Sequence, residues 1–171
     1  LNLTRSIRIP FPHLLLILIK HAISCILFLH ILLNNFLFAQ CETEYERYVG
    51  KISSIENLAN NKCNRKLIKK LIDYYHKTGN SSYQLKLSDN LVKKAKAVND
   101  SNDLALAYFK KGNAFRENFI IDSSFYYYNK SHKLYMRLNN FRFRIKANRR
   151  KAYLYTLISD YNKALELNFE T

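Results

Sequence analysis

The residues that could do chemistry are few in this chain, and their spacing forms no catalytic or metal-binding pattern. Beyond the N-terminal region only His76 and His132 remain, and neither is paired with a cysteine or carboxylate at ligand spacing. The three glycines, Gly50, Gly79 and Gly112, are isolated, so there is no glycine-rich loop to cradle a phosphate. The sequence therefore predicts a non-catalytic protein without a metal or other cofactor.

Clustered basic residues are the sharpest local charge feature. The formal net charge is +15, and six lysines and arginines fall within residues 141–151. Besides Lys151, they form the predicted basic patch: Arg142, Arg144, Lys146, Arg149 and Arg150. With Phe141 and Phe143 interleaved, the patch suits an acidic peptide, an anionic membrane surface or a nucleic acid. The alternative interpretation is a solvated outer helix face.

An apolar segment at residues 13–39 predicts an export signal. The first interpretation is a signal peptide, within residues 1–40, that is cleaved between Ala39 and Gln40. The second is an uncleaved membrane anchor, in which Lys20 would be costly inside the bilayer. Either interpretation places the rest of the chain outside the cytoplasm, as a periplasmic, secreted or membrane-anchored protein. Nucleic acid is not an expected partner there.

Two cysteines, Cys41 and Cys63, remain after removal of such a signal. An oxidising compartment permits a disulfide between them. Two unpaired cysteines are the equal alternative, because sequence alone does not set the distance between their Cα atoms.

The elements that position these residues are indicated by a weak self-similarity with a period of 40 residues. The residues that align at this shift are Ile72, Gly112 and Ala152, and three residues later Tyr75, Phe115 and Tyr155. A period of this size is typical of a solenoid built from stacked supersecondary units. No proline interrupts the chain after residue 12, which permits long helices throughout.

The best-defined helix pair lies in residues 102–140. A glycine inside a helix costs about 0.5–1 kcal/mol relative to alanine, so Gly112 needs a structural reason. Close approach of a second helix is such a reason, and the small Ser124 is expected where the two helices cross. Asp122 or Ser123 is expected to cap the second helix.

The aromatic, small, aromatic spacing of this pair, followed by a small residue and another aromatic, resembles a tetratricopeptide repeat (TPR). The residues that carry this resemblance, and that are expected in the seams between helices, are Tyr108, Gly112, Phe115, Ser124, Tyr128, Ala152, Tyr155, Tyr161 and Ala164. The resemblance implies an all-α solenoid of stacked antiparallel helix pairs, of the type in bacterial exported or sensor proteins. A plain antiparallel helical bundle is the alternative.

The apolar segment and the resemblance together divide the chain into an export helix and a repeat array. Residues 1–40 form the signal peptide or anchor, and 41–64 form a linker and capping helix, expected at 43–59. Residues 65–171 are the repeats, divided into 65–101, 102–141 and a truncated unit at 142–171. Apolar residues such as Leu165 and Phe169 at its end predict self-association.

TPR arrays usually bind a protein or peptide in a concave groove lined by the first helix of each unit. The expected groove residues are Asn113, Arg116, Glu117, Asn148, Lys151 and Tyr153. The predicted function is therefore protein or peptide binding, with an acidic ligand favoured by the charge. The alternative is the truncated sensory region of a membrane-bound sensor histidine kinase or transcriptional regulator. Further repeats and a hydrophobic span encoded after Thr171 would favour that alternative.

Overall fold

The structure, a computed structural model, describes residues 19–29 and 45–169. These residues belong to two compact units, Leu1–Glu42 and Thr43–Thr171. In the first unit, residues 19–29 form a helix with exposed side chains. Neither this helix nor any other in the described ranges is long and apolar enough to cross a membrane.

The predicted cleavage site between Ala39 and Gln40 lies outside the described residues, as does Cys41. Signal peptide and membrane anchor therefore both stay predictions. Cys63 is disulfide-bonded, whereas Cys25 is free. The alternative of an unpaired Cys63 is wrong, and its pairing with Cys41 stays a prediction.

In the second unit, a short 3-10 helix at Tyr45–Tyr48 precedes seven α-helices. The α-helices are α1 (Ile52–Glu56), α2 (Lys62–Lys77), α3 (Ser81–Ala97), α4 (Ser101–Glu117), α5 (Ile121–Arg137), α6 (Phe141–Leu157) and α7 (Tyr161–Phe169). Residues 45–169 contain no β-strand, and each helix packs mainly on its neighbours in the chain. The predicted all-α class is confirmed, and the packing in neighbouring pairs is consistent with a helical solenoid.

Consecutive helices run antiparallel. The Ser124 hydroxyl donates to the carbonyl of Gly112 at 2.8 Å, and the Ser131 hydroxyl donates to that of Ala105 at 2.9 Å. Later residues of α5 thus contact earlier residues of α4. The pairs α2–α3, α4–α5 and α6–α7 lie within a few residues of the three predicted units. We call α2, α4 and α6 the first helices and α3, α5 and α7 the second helices.

Five three-residue turns join α2 to α7 and share one backbone geometry. Each has a residue in the left-handed region, with φ between 50° and 73°, at twenty-residue intervals: Gly79, Asn99, Phe119, Asn139 and Ser159. In each turn, the residue after the left-handed one donates its N–H to the carbonyl five residues earlier, as from Asn80 to Tyr75 at 2.8 Å. This is the Schellman motif of helix C-termini. Its even recurrence makes the helices nearly equal in length, and two helices produce the 40-residue period.

The α4–α5 turn differs from the other four in its side chains. The other turns end in a residue that accepts a backbone N–H and caps the next helix, namely Asn80, Asp100, Asn140 and Asp160. Ile120 occupies this position before α5 and supplies no side-chain cap. The expectation of a cap from Asp122 or Ser123 is wrong, because α5 already begins at Ile121. Phe119, in the left-handed conformation, is 78% exposed.

Side-chain sizes complement each other where the two helices of a pair meet. A Cβ atom on Gly112 would lie 2.6 Å from two ring carbons of Tyr128, which is fully buried on α5. Forty residues earlier, the equivalent positions are Ile72 and Ser88, both also buried. A large residue on the first helix thus accompanies a small one on the second, and the reverse holds in the next pair. This exchange explains why Ser88 occupies a position where the repeat pattern calls for an aromatic residue.

An ion network connects the first helices α2 and α4. The Arg65 Nε donates to Asp103 Oδ2 at 2.8 Å, and the Lys69 Nζ donates to Asp103 Oδ1 at 2.7 Å. Arg65 also reaches Asp100 at 3.1 Å. Burial opposes ionisation of Asp103, but the hydrogen bonds from Lys69 and Arg65 outweigh it and lower the pKa of the Asp103 carboxyl.

The segment before α2 departs from the single capping helix expected at 43–59. Gly50, with φ of +82°, separates the 3-10 helix from α1. This φ lies outside the helical range, and glycine adopts it without strain, which explains the break. The Gly50 N–H donates to the Tyr75 hydroxyl at 2.7 Å, and α1 buries Ile55 in the core. The segment is therefore still packed on the first pair.

Candidate binding groove

The first helices α2, α4 and α6 run parallel, and their contacts repeat at about one period. Lys110 of α4 pairs with Asp73 of α2, and Glu117 Oε1 lies 2.6 Å from the Nδ1 of His76. One step further, the Arg116 guanidinium lies over the ring of Tyr153 on α6, 5.5 Å from its centroid. These contacts place the C-terminal halves of the three helices side by side.

An open cavity of about 540 Å³ lies along these three helices. We call it the basic groove, and its lining residues are His76, Phe109, Lys110, Asn113, Lys146, Arg149, Arg150 and Tyr153. Phe109 and Tyr153 supply aromatic surface, while the remaining six side chains are polar or charged. The groove can therefore bind an anionic ligand that also offers some apolar surface.

Positive charge in the groove is only partly neutralised. Lys110 is paired with Asp73, as described above. Lys146, Arg149 and Arg150 have no acidic partner among the described residues. Cations that face a cavity without a counter-charge create a positive potential there, which attracts anions.

Asn113 is fixed in the groove by a buried hydrogen bond. The Tyr128 hydroxyl donates to Asn113 Oδ1 at 2.7 Å, and Asn113 is only 2% exposed. Burial raises the pKa of Tyr128 to about 12, so the phenol stays protonated and can keep donating. This bond orients the Asn113 amide, whose nitrogen carries two N–H donors for a ligand.

Four of the six predicted groove residues lie in or beside the basic groove. Asn113 and Tyr153 line it. Arg116 contacts Tyr153, and Glu117 contacts His76, so both lie next to lining residues. Their role in binding stays a prediction.

Asn148 and Lys151 lie elsewhere, which corrects their expected position. Asn148 is 6% exposed and lines a recess on the α5 side, and Lys151 lines another recess between α5, α6 and α7. The reason is the helical register. One period before them are Tyr108 and Lys111, which contact Tyr127 of α5 instead of the groove.

The predicted basic patch is divided between two surfaces. Lys146, Arg149 and Arg150 line the basic groove, whereas Arg144 lines two recesses near the α5–α6 turn. Arg142 is exposed at the start of α6. An α-helix turns by about 100° per residue, so a run of basic residues cannot occupy a single face.

The predicted seam residues of the α4–α5 pair meet across that interface. Gly112 contacts the Tyr128 ring closely, and the Ser124 hydroxyl binds the Gly112 carbonyl. Tyr108 and Phe115 both pack on Tyr127, with ring centroids 6.0 Å and 5.3 Å apart.

The third pair holds its seam residues less completely. Ala152 and Ala164 are buried, and the Tyr155 ring packs on Phe125 at 4.7 Å. Tyr161, in contrast, is 60% exposed, and its expected seam position is wrong. Its equivalent one period earlier, Ile121, packs on a cluster that includes Leu154 of α6, and no described helix follows α7 in that place.

The groove contains three residues that the sequence analysis did not select, namely His76, Phe109 and Lys110. A signal for two of them was present. Shifting Arg149 and Arg150 back by one period gives Phe109 and Lys110, so a register anchored on Asn113 and Tyr153 would have found them.

The second unit is thus an all-helical protein unit with a basic groove along its first helices. Among the described residues, no group of three histidine, cysteine or acidic side chains could hold a metal ion. The chain matches no family model, no curated protein and no solved structure. Functional proposals therefore depend on the geometry and charge of the chain itself.

Proposed function

We propose that residues 65–169 form a TPR-like array whose basic groove binds an acidic peptide segment of a partner protein, without catalysis. The observation that carries the proposal is the trio Lys146, Arg149 and Arg150, which face the cavity without an acidic partner among the described residues. Arginine binds carboxylates through paired hydrogen bonds, so two neighbouring arginines suit a run of acidic residues.

The remaining groove residues support a peptide in particular. Asn113 presents amide donors that match the backbone carbonyls of an extended peptide. Phe109 and Tyr153 offer aromatic surface for an apolar side chain between the acidic ones. The parallel first helices give the groove its length, as the TPR resemblance implies.

Peptide titration with matched variants tests this proposal. A fluorescein-labelled peptide rich in aspartate and glutamate is titrated with protein and followed by fluorescence anisotropy. The triple variant Lys146→Gln/Arg149→Gln/Arg150→Gln is expected to bind about 10–100-fold more weakly, as three charge-assisted contacts are lost. The affinity of the unaltered protein is expected to fall as salt is added.

The control removes the same charge from another surface. The variant Lys133→Gln/Arg137→Gln/Arg142→Gln alters three exposed cations at the α5–α6 turn. It is expected to change the affinity by less than about threefold, through long-range charge alone. Equal losses in the two triple variants, or no binding by the unaltered protein, would overturn the groove assignment.

We also propose export of the array from the cytoplasm, supported by the apolar segment 13–39. Intact mass and N-terminal sequencing of the protein from its native cell test this. A mature chain starting at Gln40 supports a cleaved signal peptide. A chain that retains residues 13–39 in the membrane fraction supports an anchor, and an uncleaved chain in the cytoplasm contradicts both.

A further inference from the structure

A second basic surface lies at the α5–α6 turn, away from the groove. Between Asp122 and Asp160 there is no acidic residue, and this stretch carries nine lysines and arginines. Three of the nine line the basic groove, as described above. Arg137 and Arg142, on either side of the turn, are exposed.

Apolar side chains project at the same turn. Met136 is 50% exposed and Phe141 is 56% exposed, although the turn itself carries Asn139 and Asn140. The guanidinium of Arg144 lies 4.9 Å from the centre of the Phe141 ring. The turn therefore combines exposed apolar tips with flanking arginines, which is the composition of surfaces that enter the headgroup region of a bilayer.

The α3–α4 turn, forty residues earlier, carries similar side chains. Val98 is exposed between α3 and α4, and Lys96 is exposed beside it. The acidic side chains at that turn, Asp100 and Asp103, are bound to Arg65 and Lys69, so they offset the basic charge there only weakly.

A recess beside the turn is suited to a lipid headgroup. It has a volume of about 320 Å³ and is lined by His132, Met136, Arg144 and Asn148. The Asn148 side chain is almost fully buried, and its Oδ1 has no hydrogen-bond partner among the described residues. Such a group normally has a partner, and as an acceptor it would take a hydrogen bond from a donor such as the ammonium group of a serine headgroup.

The electrostatics of the recess agree with an anionic ligand. Burial, and then the charges of Lys151 and Arg144, lower the pKa of His132 to about 4. Arg144 lines the recess and Lys151 lies near it, so their positive charges favour an anionic ligand there.

We propose that the α5–α6 turn is a contact surface for anionic phospholipid bilayers, with Met136 and Phe141 entering the headgroup region and Arg137, Arg142 and Arg144 binding lipid phosphates. Two features favour a bilayer over a nucleic acid or an acidic protein. The surface is a projecting turn instead of a groove, and its exposed side chains combine an aromatic ring with a flexible methionine. Each basic residue near an anionic membrane strengthens binding by about fivefold.

Vesicle sedimentation of the full chain tests the charge requirement. Vesicles of phosphatidylcholine alone are compared with vesicles that contain roughly 30% phosphatidylserine. Arg137→Gln/Arg142→Gln is expected to weaken binding to the anionic vesicles about 10–30-fold. The control Arg149→Gln/Arg150→Gln removes equal charge from the groove and is expected to weaken binding by less than about threefold. Residues 13–39 are present in every variant, so differences between variants report the turn.

Tryptophan fluorescence tests which turn inserts. The chain has no tryptophan, so Phe141→Trp introduces a single reporter. Its emission is expected to shift to shorter wavelength with anionic vesicles only. Phe119→Trp is the matched control, because Phe119 is an exposed residue of the turn at the opposite end of α5.

Three outcomes would overturn the proposal: equal losses in the two charge variants, a blue shift of the Phe119→Trp reporter as large as that of Phe141→Trp, or no preference for anionic vesicles. Binding to a single-stranded oligonucleotide that is weakened by Arg137→Gln/Arg142→Gln, without any vesicle binding, would assign the surface to nucleic acid. Because the groove residues are separate, failure here leaves the acidic-peptide proposal intact, and the reverse also holds.

Discussion

The contact between α2 and α4 and the contact between α4 and α6 both join parallel first helices, but they differ in electrostatics. In the first, each cation meets a carboxylate: Arg65 and Lys69 bind Asp103, and Lys110 binds Asp73. In the second, every charged residue of α6 is a cation, and the Arg116 guanidinium of α4 lies over the Tyr153 ring of α6. One contact is thus neutralised within the chain, and the other has charge available for a partner.

The comparison separates residues that stabilise the array from residues that can bind. Buried ion pairs are satisfied internally and attract no ligand, whereas uncompensated cations cost stability through mutual repulsion. Proteins keep such cations where a partner supplies the counter-charge. The following predictions test this division, from the largest expected effect to the smallest.

Removing the central carboxylate of the α2–α4 contact is expected to have the largest effect. Asp103→Ala leaves Arg65 and Lys69 without their main partner and is expected to lower the free energy of unfolding by about 3–5 kcal/mol. Arg150→Ala, in α6, is expected to change it by less than about 0.5 kcal/mol. Urea unfolding followed by circular dichroism measures both. Similar losses in the two variants would contradict the division.

The shared geometry of the pairs predicts an exchange of side chains across a seam. Gly112→Ile is expected to destabilise the protein by about 3 kcal/mol, because its side chain would overlap the buried Tyr128 ring. Gly112→Ile/Tyr128→Ser recreates the Ile72 and Ser88 combination of the first pair. The free energy of unfolding of the double variant is expected to exceed the value calculated by adding the two single effects by about 1–3 kcal/mol.

Tyr128→Ser alone is the required control, because it also removes the hydrogen bond to Asn113. Strict additivity of the two substitutions in urea unfolding would show that the two seams do not share this packing.

Salt is expected to act mainly on the α6 side. Raising sodium chloride from about 0.05 to about 0.5 M should screen repulsion among the α6 cations and stabilise the protein by up to about 1 kcal/mol. In Lys146→Gln/Arg149→Gln/Arg150→Gln the gain should be at most about half as large. The measurement is the urea midpoint at each salt concentration. A decrease in stability with salt would mean that exposed attractive pairs dominate.

The smallest predicted effect is a pH dependence of stability that separates Asp103, in the α2–α4 contact, from His132, which lies on α5 beside α6. The folded-state pKa of His132 is about 4, below the ordinary value of about 6.5, so the unfolded chain takes up the proton first. The contribution of neutral His132 to the free energy of unfolding is fully present above about pH 6.5 and is lost as the pH falls towards 4. We expect a loss below 1 kcal/mol, since solvent screens this partly exposed group.

His132→Gln is expected to remove this change between pH 6.5 and 4. The lowered pKa of Asp103 acts in the same direction but at lower pH, because its contribution is lost only as that carboxyl is protonated, below about pH 4. Urea unfolding at intervals between pH 7 and pH 3 separates the two ranges. An unchanged pH profile in His132→Gln would contradict the assignment.

The sequence predicted the helices well because local signals were strong. The all-α class was predicted from the repeat and from the lack of proline, and the equal spacing of Gly79, Asn99 and Phe119 shows why the period exists. Prediction was poorer where the signal was weak. Gly50 divides the segment expected as one capping helix, and Ile120 precedes α5 without a side-chain cap.

For the basic groove, the sequence predicted that the first helices line it and identified some of the residues that face it. Asn113 and Tyr153 are one period apart and both line the cavity, whereas Asn148 and Lys151 were assigned to the wrong side of α6. A basic run in sequence does not show which of its members share a face, because the rotation of a helix is set by its packing.

The amino-acid sequence by itself determined the helical class, the period, the excess of positive charge and the close approach at Gly112, since these depend on local propensity and on residue counts. Only the tertiary structure decided which cations are neutralised. Asp103 lies far from Arg65 and Lys69 in sequence, and the parallel stacking of α2 on α4 brings them together. The same stacking places α6 beside α4 without an acidic partner, because packing and not chain order determines which charges meet.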